Sequence, residues 1–424
     1  PRAGSPARAS PSGCRRSDLT SFDCVLQPIN PKQIRQGSKR MDPFVCILCL
    51  RQVDGAAKPE HILLNALGGR KTSSRLICDA CNETTGSSID HDLAESVAKI
   101  RNIAGLPKGN NRPAPSFDME TKQGNVRFHS GLKPVLKSEK ICNEYDRAGN
   151  EHVTVRANDY DELTRLVPHI ASLTGKNESE IWDDIRTLGE HIYQPIEMQG
   201  IRLGFGSYES QRSMAKACLE LWAVCTRNAE VTKDSYENIR KYINNGGEPN
   251  NLGSILNASD KSKTFAKDRY SPYCNIISVF SNSDGYVYGE FLLYGMLGWR
   301  FILGNTESYK EHCAVLISNP FNPSEWSLIS LENLDVLPPF LTTDFDKDDV
   351  VGTIINFISE VRHQQREKLI EWAFSEACER IGIKDGDPIP DEHYFEFVGI
   401  VSFILSNSLM GMPFKLQLKE KRDA

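Results

Sequence analysis

Cys46-Ile47-Leu48-Cys49 and, after an interval of 28 residues, Cys78-Asp79-Ala80-Cys81 are the stretches that decide how the first part of this chain folds. A Cys-x-x-Cys turn lets two thiolates face one metal ion, and two such turns complete a tetrahedron. The spacing predicts a structural zinc ion held by Cys46, Cys49, Cys78 and Cys81. Four thiolates leave the metal no open position, so this zinc activates no water, and any chemistry must come from other residues.

The remaining eight cysteines stand singly, and nothing in the sequence resembles a secretory signal. The compartment is therefore read as reducing and cytoplasmic. Cys218 and Cys225, on an apolar helical stretch, are expected as small core residues. The chain has 424 residues, 39% hydrophobic and 25% charged, which suits a globular protein of two or three domains. No apolar run is long enough to span a bilayer; residues 398–409 read as a buried helix.

Residues 1–40 differ in composition, with eight Lys or Arg against Asp18 and Asp23 and few apolar residues. They read either as a basic disordered arm that touches nucleic acid or as a stretch upstream of a true start at Met41, and the second is preferred. The net charge of −6 becomes −12 without them. An acidic body does not attract DNA in bulk, so nucleic-acid binding would need a local basic patch and would be salt-sensitive.

The expected organisation is a zinc-stapled unit over 41–106 ending in an amphipathic helix, a mixed, mainly helical domain over 107–270, and a β-rich region with C-terminal helices over 271–424. The fold class is thus α+β. Residues 107–115 read as a plain linker. Alternation suggests hairpin strands at 125–129 and 152–156. Helices are expected over 160–174, 178–190, 210–227, 234–243, 346–382 and 393–409. Strands are expected at 275–280, 286–293, 299–303 and 314–317, with Asn282-Ser283-Asp284-Gly285 turning the first pair.

Between the cysteine pairs lie Glu60-His61-Ile62 and Leu67-Gly68-Gly69, and Asn82 follows the last Cys, with Gly86-Ser87-Ser88-Ile89-Asp90 beyond. In that order these pieces resemble the zinc-containing branch of the HNH endonucleases, the ββα-metal nucleases. That branch reads Cys-x-x-Cys, Glu-His-Ile, Leu-Gly-Gly, Cys-x-x-Cys-Asn, then Gly-x-x-Ile-Asp and a helix. The resemblance covers residues 44–106. It implies a metal-dependent endonuclease that hydrolyses DNA, with His61 as general base and Glu60 and Asn82 holding a catalytic Mg²⁺ or Mn²⁺ through oxygen. An imidazole suits the base role because it is largely neutral at pH 7.

The chain departs from the pattern where the family has an Asn that orients the base: here stand Ser73 and Ser74, of which Ser74 is the candidate for that role. Leu64 replaces a usual Pro, and Asn82 a frequent His. Arg70, Lys71 and Arg75 form a candidate phosphate-gripping cluster beside the site. Asp90 reads as a brace for the ribbon, and Gly68-Gly69 as a turn between two strands. The other reading of the unit is a non-catalytic zinc ribbon that binds nucleic acid or a protein partner. Residues 107–424 carry no motif that converts into chemistry. By analogy of architecture, such fusions suit defence against foreign DNA.

Overall fold

The structure, a computed structural model, describes residues 42–121, 124–137, 141–145, 151–157, 160–188, 204, 206–247, 253–331, 340–341, 347–384 and 386–409. The first Cys turn lies between β1 (Phe44–Val45) and β2 (Gln52–Val53), which pair antiparallel. A second two-residue hairpin, β3 (Glu60–His61) with β4 (Thr72–Ser73), sets Glu60 opposite Ser73 and His61 opposite Thr72. Three short helices follow: α1 (Asp79–Ser87), α2 (Ile89–Ser96) and α3 (Ala98–Ile103). The expected amphipathic helix is thus broken up, and Ser88, at φ −120° and ψ −92°, makes the turn between the first two. The hairpin β3–β4 running into α1 is the ββα order that the motif implies.

Next come an antiparallel three-stranded sheet, β5 (Phe117–Thr121), β6 (Gly124–His129) and β7 (Lys133–Leu136), and a hairpin, β8 (Ile141–Tyr145) with β9 (Glu151–Val155). Helices α4 (Tyr160–Thr174) and α5 (Glu178–Leu188) match the expected positions; residues 189–190 of the expected second helix lie outside the described residues. Then follow α6 (Tyr208–Thr226), α7 (Asn228–Val231), α8 (Glu237–Asn245), β10 (Gly253–Asn257) and α9 (Asp260–Lys267).

The largest sheet uses β10 together with β11 (Asn275–Ser281), β12 (Tyr286–Leu293), β13 (Leu297–Asn305), β14 (Cys313–Ser318) and β15 (Trp326–Leu331). Its order is β10-β13-β12-β11-β14-β15, antiparallel throughout. The turn at residues 282–285 closes as expected, with the Gly285 N–H donating to the Asn282 carbonyl at 3.0 Å. Gly285 has φ +88°, which a side chain would strain. The edge strands β10 and β15 did not stand out in the sequence. Two helices end the described chain, α10 (Lys347–Arg380) and α11 (Tyr394–Leu409), and no described helix is long and apolar enough to cross a membrane.

Helix α6 sits between the zinc unit and the large sheet, packing on α2 on one side and on β11, β12 and β13 on the other. Ser207 caps it by accepting from the Ser210 N–H, and most of its residues are buried. A helix enclosed on all sides buries its whole circumference rather than one stripe. Gly289 permits the close approach to the sheet, since a Cβ there would fall 2.5 Å from the Cys218 Cβ. One hydrophobic core therefore runs from Ile47, Ile62, Leu76 and Leu93 through Met214 and Trp222 to Val279, Phe291 and Trp299.

Residues 107–115 are fixed to the zinc unit rather than forming a plain linker. The Gly109 N–H donates to the Asn65 carbonyl at 2.8 Å, and the Asn110 N–H to the Asn65 Oδ1 at 3.0 Å. Composition marked the segment as loop, correctly, but could not show that the Asn65 turn offers it acceptors.

Candidate functional site

The four sulfur atoms of Cys46, Cys49, Cys78 and Cys81 lie within 4.8 Å of one another. Cys49 and Cys78 are 3.7 Å apart, sulfur to sulfur. Tetrahedral zinc with bonds of about 2.3 Å requires sulfur separations of about 3.8 Å, so the cluster can hold zinc. The backbone supports it: the Cys78 N–H donates to the Cys46 sulfur at 3.3 Å, and Cys78 caps α1 by accepting from the Cys81 N–H at 3.5 Å. The hydrogen bond from Cys81, together with backbone N–H groups and against the cost of burial, holds the Cys46 thiol down to about 4. Cys81 is pushed up by the same partner and by burial. That split is what neighbouring thiols do when their negative charges must share a small volume.

The zinc frame positions the ββα unit. At the start of α1, Asp79 accepts from the Lys58 N–H at 2.7 Å, and the Asn82 Nδ2 faces the Lys58 carbonyl at 3.5 Å. The helix is thereby tied to the strand that carries Glu60 and His61. These two successive residues point to opposite sides of β3. His61 is half-buried; burial, and secondarily the nearby Lys216 ammonium, lower its pKa below the ordinary imidazole value.

Glu60 points inward and is buried. Its Oε1 accepts from the Lys216 Nζ at 2.6 Å. The same ammonium, on α6, donates to the Asp90 Oδ2 at 2.5 Å and to the Thr85 Oγ1 at 3.4 Å. Ser213, one turn earlier, donates to the Asp90 Oδ1 at 2.5 Å. Glu220, one turn later, comes within 4.0 Å of the Lys216 Nζ, and neither of its carboxyl oxygens has a hydrogen-bond partner among the described residues. Burial would lower the Lys216 pKa, but the carboxylates of Glu220, Asp90 and Glu60 outweigh it and raise it. Burial raises Glu60, against the pull of Lys216, and raises Glu220 well above the carboxylate range. Asp90 thus braces the ribbon against α6.

This arrangement does not fit Mg²⁺ or Mn²⁺ at Glu60. The carboxylate already has a cation at contact distance. Sequence reasoning missed the pairing of Lys216 with Glu60. The signal was present: Lys216 and Glu220, four residues apart, are charged residues inside the apolar run 214–223.

The residues at the usual Asn position and in the basic cluster are spread through the surroundings. Ser73 accepts from the Arg75 N–H at 3.3 Å through its hydroxyl, and the Ser74 carbonyl accepts from the Ala57 N–H at 3.0 Å. Arg70 donates to the Ser324 hydroxyl at 2.8 Å, whereas Arg75 donates to the Asp42 carbonyl at 3.1 Å. Half-buried Lys71 lies where its charge acts on the Cys225 thiol. Arg75 also lines a cleft of about 600 Å³ with Phe44, Gln52, Arg227, Asn228 and Thr232. Arg227 has φ +80° and ψ 156°, backbone angles that glycine normally occupies, and its side chain is exposed. The Asn228 amide holds the cleft together by donating to the Val45 and Arg75 carbonyls at 2.9 and 2.7 Å.

Residues 46–97 match the family model described as HNH endonuclease. No curated protein and no solved structure gives a significant match to the chain. The matched segment contains the two Cys turns, the Glu60–His61 strand, α1 and α2, all in the ββα order described above. Residues 46–97 of this chain thus form a domain of the HNH endonuclease family.

Proposed function

We propose that the protein is an endonuclease that hydrolyses phosphodiester bonds in DNA, with His61 as the proton acceptor. The observation that carries this reading is the place of half-buried His61 on β3 of a segment that matches the HNH endonuclease family, where burial also lowers its pKa. Such an imidazole is neutral at pH 7 and able to take a proton. It accepts one from water, the water oxygen attacks phosphorus, and the ester P–O bond breaks, the leaving oxygen taking a proton from solvent water. Ser74 orients the base, taking the place of the family's Asn. Of the basic cluster, Arg75 meets the phosphate charge together with Arg227, which lines the same cleft. Zinc at the four cysteines is structural and takes no part in the reaction.

The test is cleavage of supercoiled plasmid and single-stranded DNA by the zinc-loaded protein with Mg²⁺, Mn²⁺ or EDTA, beside His61→Ala. Nicking or linearisation that His61→Ala lacks supports the reading; equal cleavage by the variant refutes it. A role against foreign DNA is the setting this activity suits. Its check is phage plating on cells expressing the wild type or His61→Ala, with equal plating counting against it.

A second reading is favoured by the Glu60–Lys216 contact, which takes up the carboxylate that the family pattern gives to a metal. In that reading the unit is a non-catalytic zinc ribbon that holds nucleic acid or a protein partner. It predicts DNA band shifts with no turnover in any metal.

A further inference from the structure

We infer that the ammonium of Lys216 takes the place of a divalent cation at Glu60, so that Glu60 is the counter-ion of a core lysine and not a metal ligand. The inference rests on the HNH assignment of residues 46–97, which is what gives Glu60 a metal to lose.

Geometry carries it. The Lys216 side chain is 2% exposed and Glu60 8%, so the pair is closed to water. Three carboxyl groups, from Glu60, Asp90 and Glu220, converge on the single Nζ at 2.6, 2.5 and 4.0 Å. A small cation surrounded by oxygens is what a divalent metal site offers, and here the cation is covalently attached to α6. Among the described residues, the only group of three or more His, Cys, Asp or Glu with ligand atoms close enough to share an ion is the four cysteines. The carboxylates are near Lys216 but do not form a second cage of their own.

Lys216 cannot easily withdraw. Its neighbours Met214, Ala215, Ala217, Cys218 and Leu219 are buried against the zinc unit and the sheet. Moving the ammonium aside would leave Glu60 and Asp90 buried without a counter-charge, a costly state for ions out of water. Mg²⁺ dehydrates reluctantly and keeps most of its own water, so it competes poorly for a buried carboxylate already paired. Lys216 therefore acts on the site through Glu60, as a positioning residue: it fixes the strand that carries His61 and supplies positive charge behind it. Any divalent ion used in cleavage binds without Glu60.

The experiment is Mn²⁺ binding to the zinc-loaded full chain, read by the electron paramagnetic resonance of free Mn²⁺, for the wild type, Glu60→Gln and Glu60→Asp. Zinc content and circular dichroism establish that each variant is folded. The inference expects the wild-type titration to superimpose on that of each folded Glu60 variant. One Mn²⁺ per chain in the wild type, weakened tenfold or more by either variant, overturns it. A second measurement is the thermodynamic cycle of Glu60→Gln, Lys216→Met and the double variant in urea. The inference expects the double variant to lose at least tenfold less in folding equilibrium constant than the product of the single losses. A cycle that closes with no such coupling overturns it. The nuclease reading fails on different evidence, the absence of any His61-dependent cleavage, so the two failures are read separately.

Discussion

Gly109 lies against Gly69: a Cβ on Gly109 would fall 2.0 Å from the Gly69 carbonyl oxygen. Gly69 is itself enclosed, since a Cβ there would fall 1.7 Å from the Leu63 carbonyl oxygen. Both obstacles are backbone and cannot swing away. Gly69→Ala and Gly109→Ala are each expected to destabilise the protein by about 1–3 kcal/mol, the usual cost of overpacking. Urea denaturation checks this, and Gly86→Ala, where a Cβ meets nothing within 4 Å, is the control.

Removing one thiolate from the zinc frame has a different signature. Cys78 is both a ligand and the cap of α1, so Cys78→Ser is expected to lose the metal and to melt the ββα unit with it. Metal analysis should fall from one zinc per chain to none. Full zinc content in the variant would show that Cys78 is not a ligand.

Lys216→Met leaves Glu60 and Asp90, the two carboxyl groups hydrogen-bonded to it, buried without their partner. The expected loss is about 3–5 kcal/mol, the range for breaking a buried ion pair from one side. Adding Glu60→Gln and Asp90→Asn should restore part of that loss, because it removes the stranded charges. Thermal melts of the single and triple variants measure it.

The lowered pKa of His61 gives a pH dependence with a definite sign. The imidazole is neutral in the folded chain down to below its ordinary value near 6.5, so cleavage should hold steady as pH falls past that point and drop only through the lowered pKa. For stability, a depressed folded pKa means that the unfolded chain binds the proton first. The contribution of neutral His61 is present above the unfolded pKa and is lost as pH falls through the folded one. A pH–rate profile and melts of the wild type against His61→Ala check both statements.

Arg75 and Arg227 should contribute phosphate contacts, not selectivity. Each change to Ala is expected to weaken DNA uniformly across sequences and to reduce the slope of log affinity against log salt by about 1. Fluorescence anisotropy at several salt concentrations provides the slope.

Much of this architecture was legible in residue order because local chemistry wrote it there. The Cys pairs specify a metal frame by spacing alone. The strands at 275–317 show themselves through apolar β-branched runs separated by a turn. What escaped depends on distant partners. Lys216 meets Glu60 across 156 residues, and no window of sequence contains both. Helix α6 read simply as an apolar helical stretch, because nothing local reveals that one side of it is covered by α2. Edge strands β10 and β15 each pair on one side only, with β13 and β14, partners that lie outside their own stretch of sequence. The basic residues 70, 71 and 75 are adjacent in sequence, yet Arg70 reaches towards Ser324 and Arg75 towards Asp42, because a loop can send neighbouring side chains apart.

The enclosure of α6 bears on how such a protein can be taken apart. A recognisable motif invites excision: residues 42–106 expressed alone, or transplanted onto another scaffold. Here the cut would pass through the shared core, exposing the apolar surface of Ile62, Leu76 and Leu93 and depriving Glu60 of its ammonium. The zinc unit and its scaffold share one hydrophobic core, so modularity at the level of motif does not extend to modularity of the fold. A transplant that keeps the cassette intact must bring α6 with it.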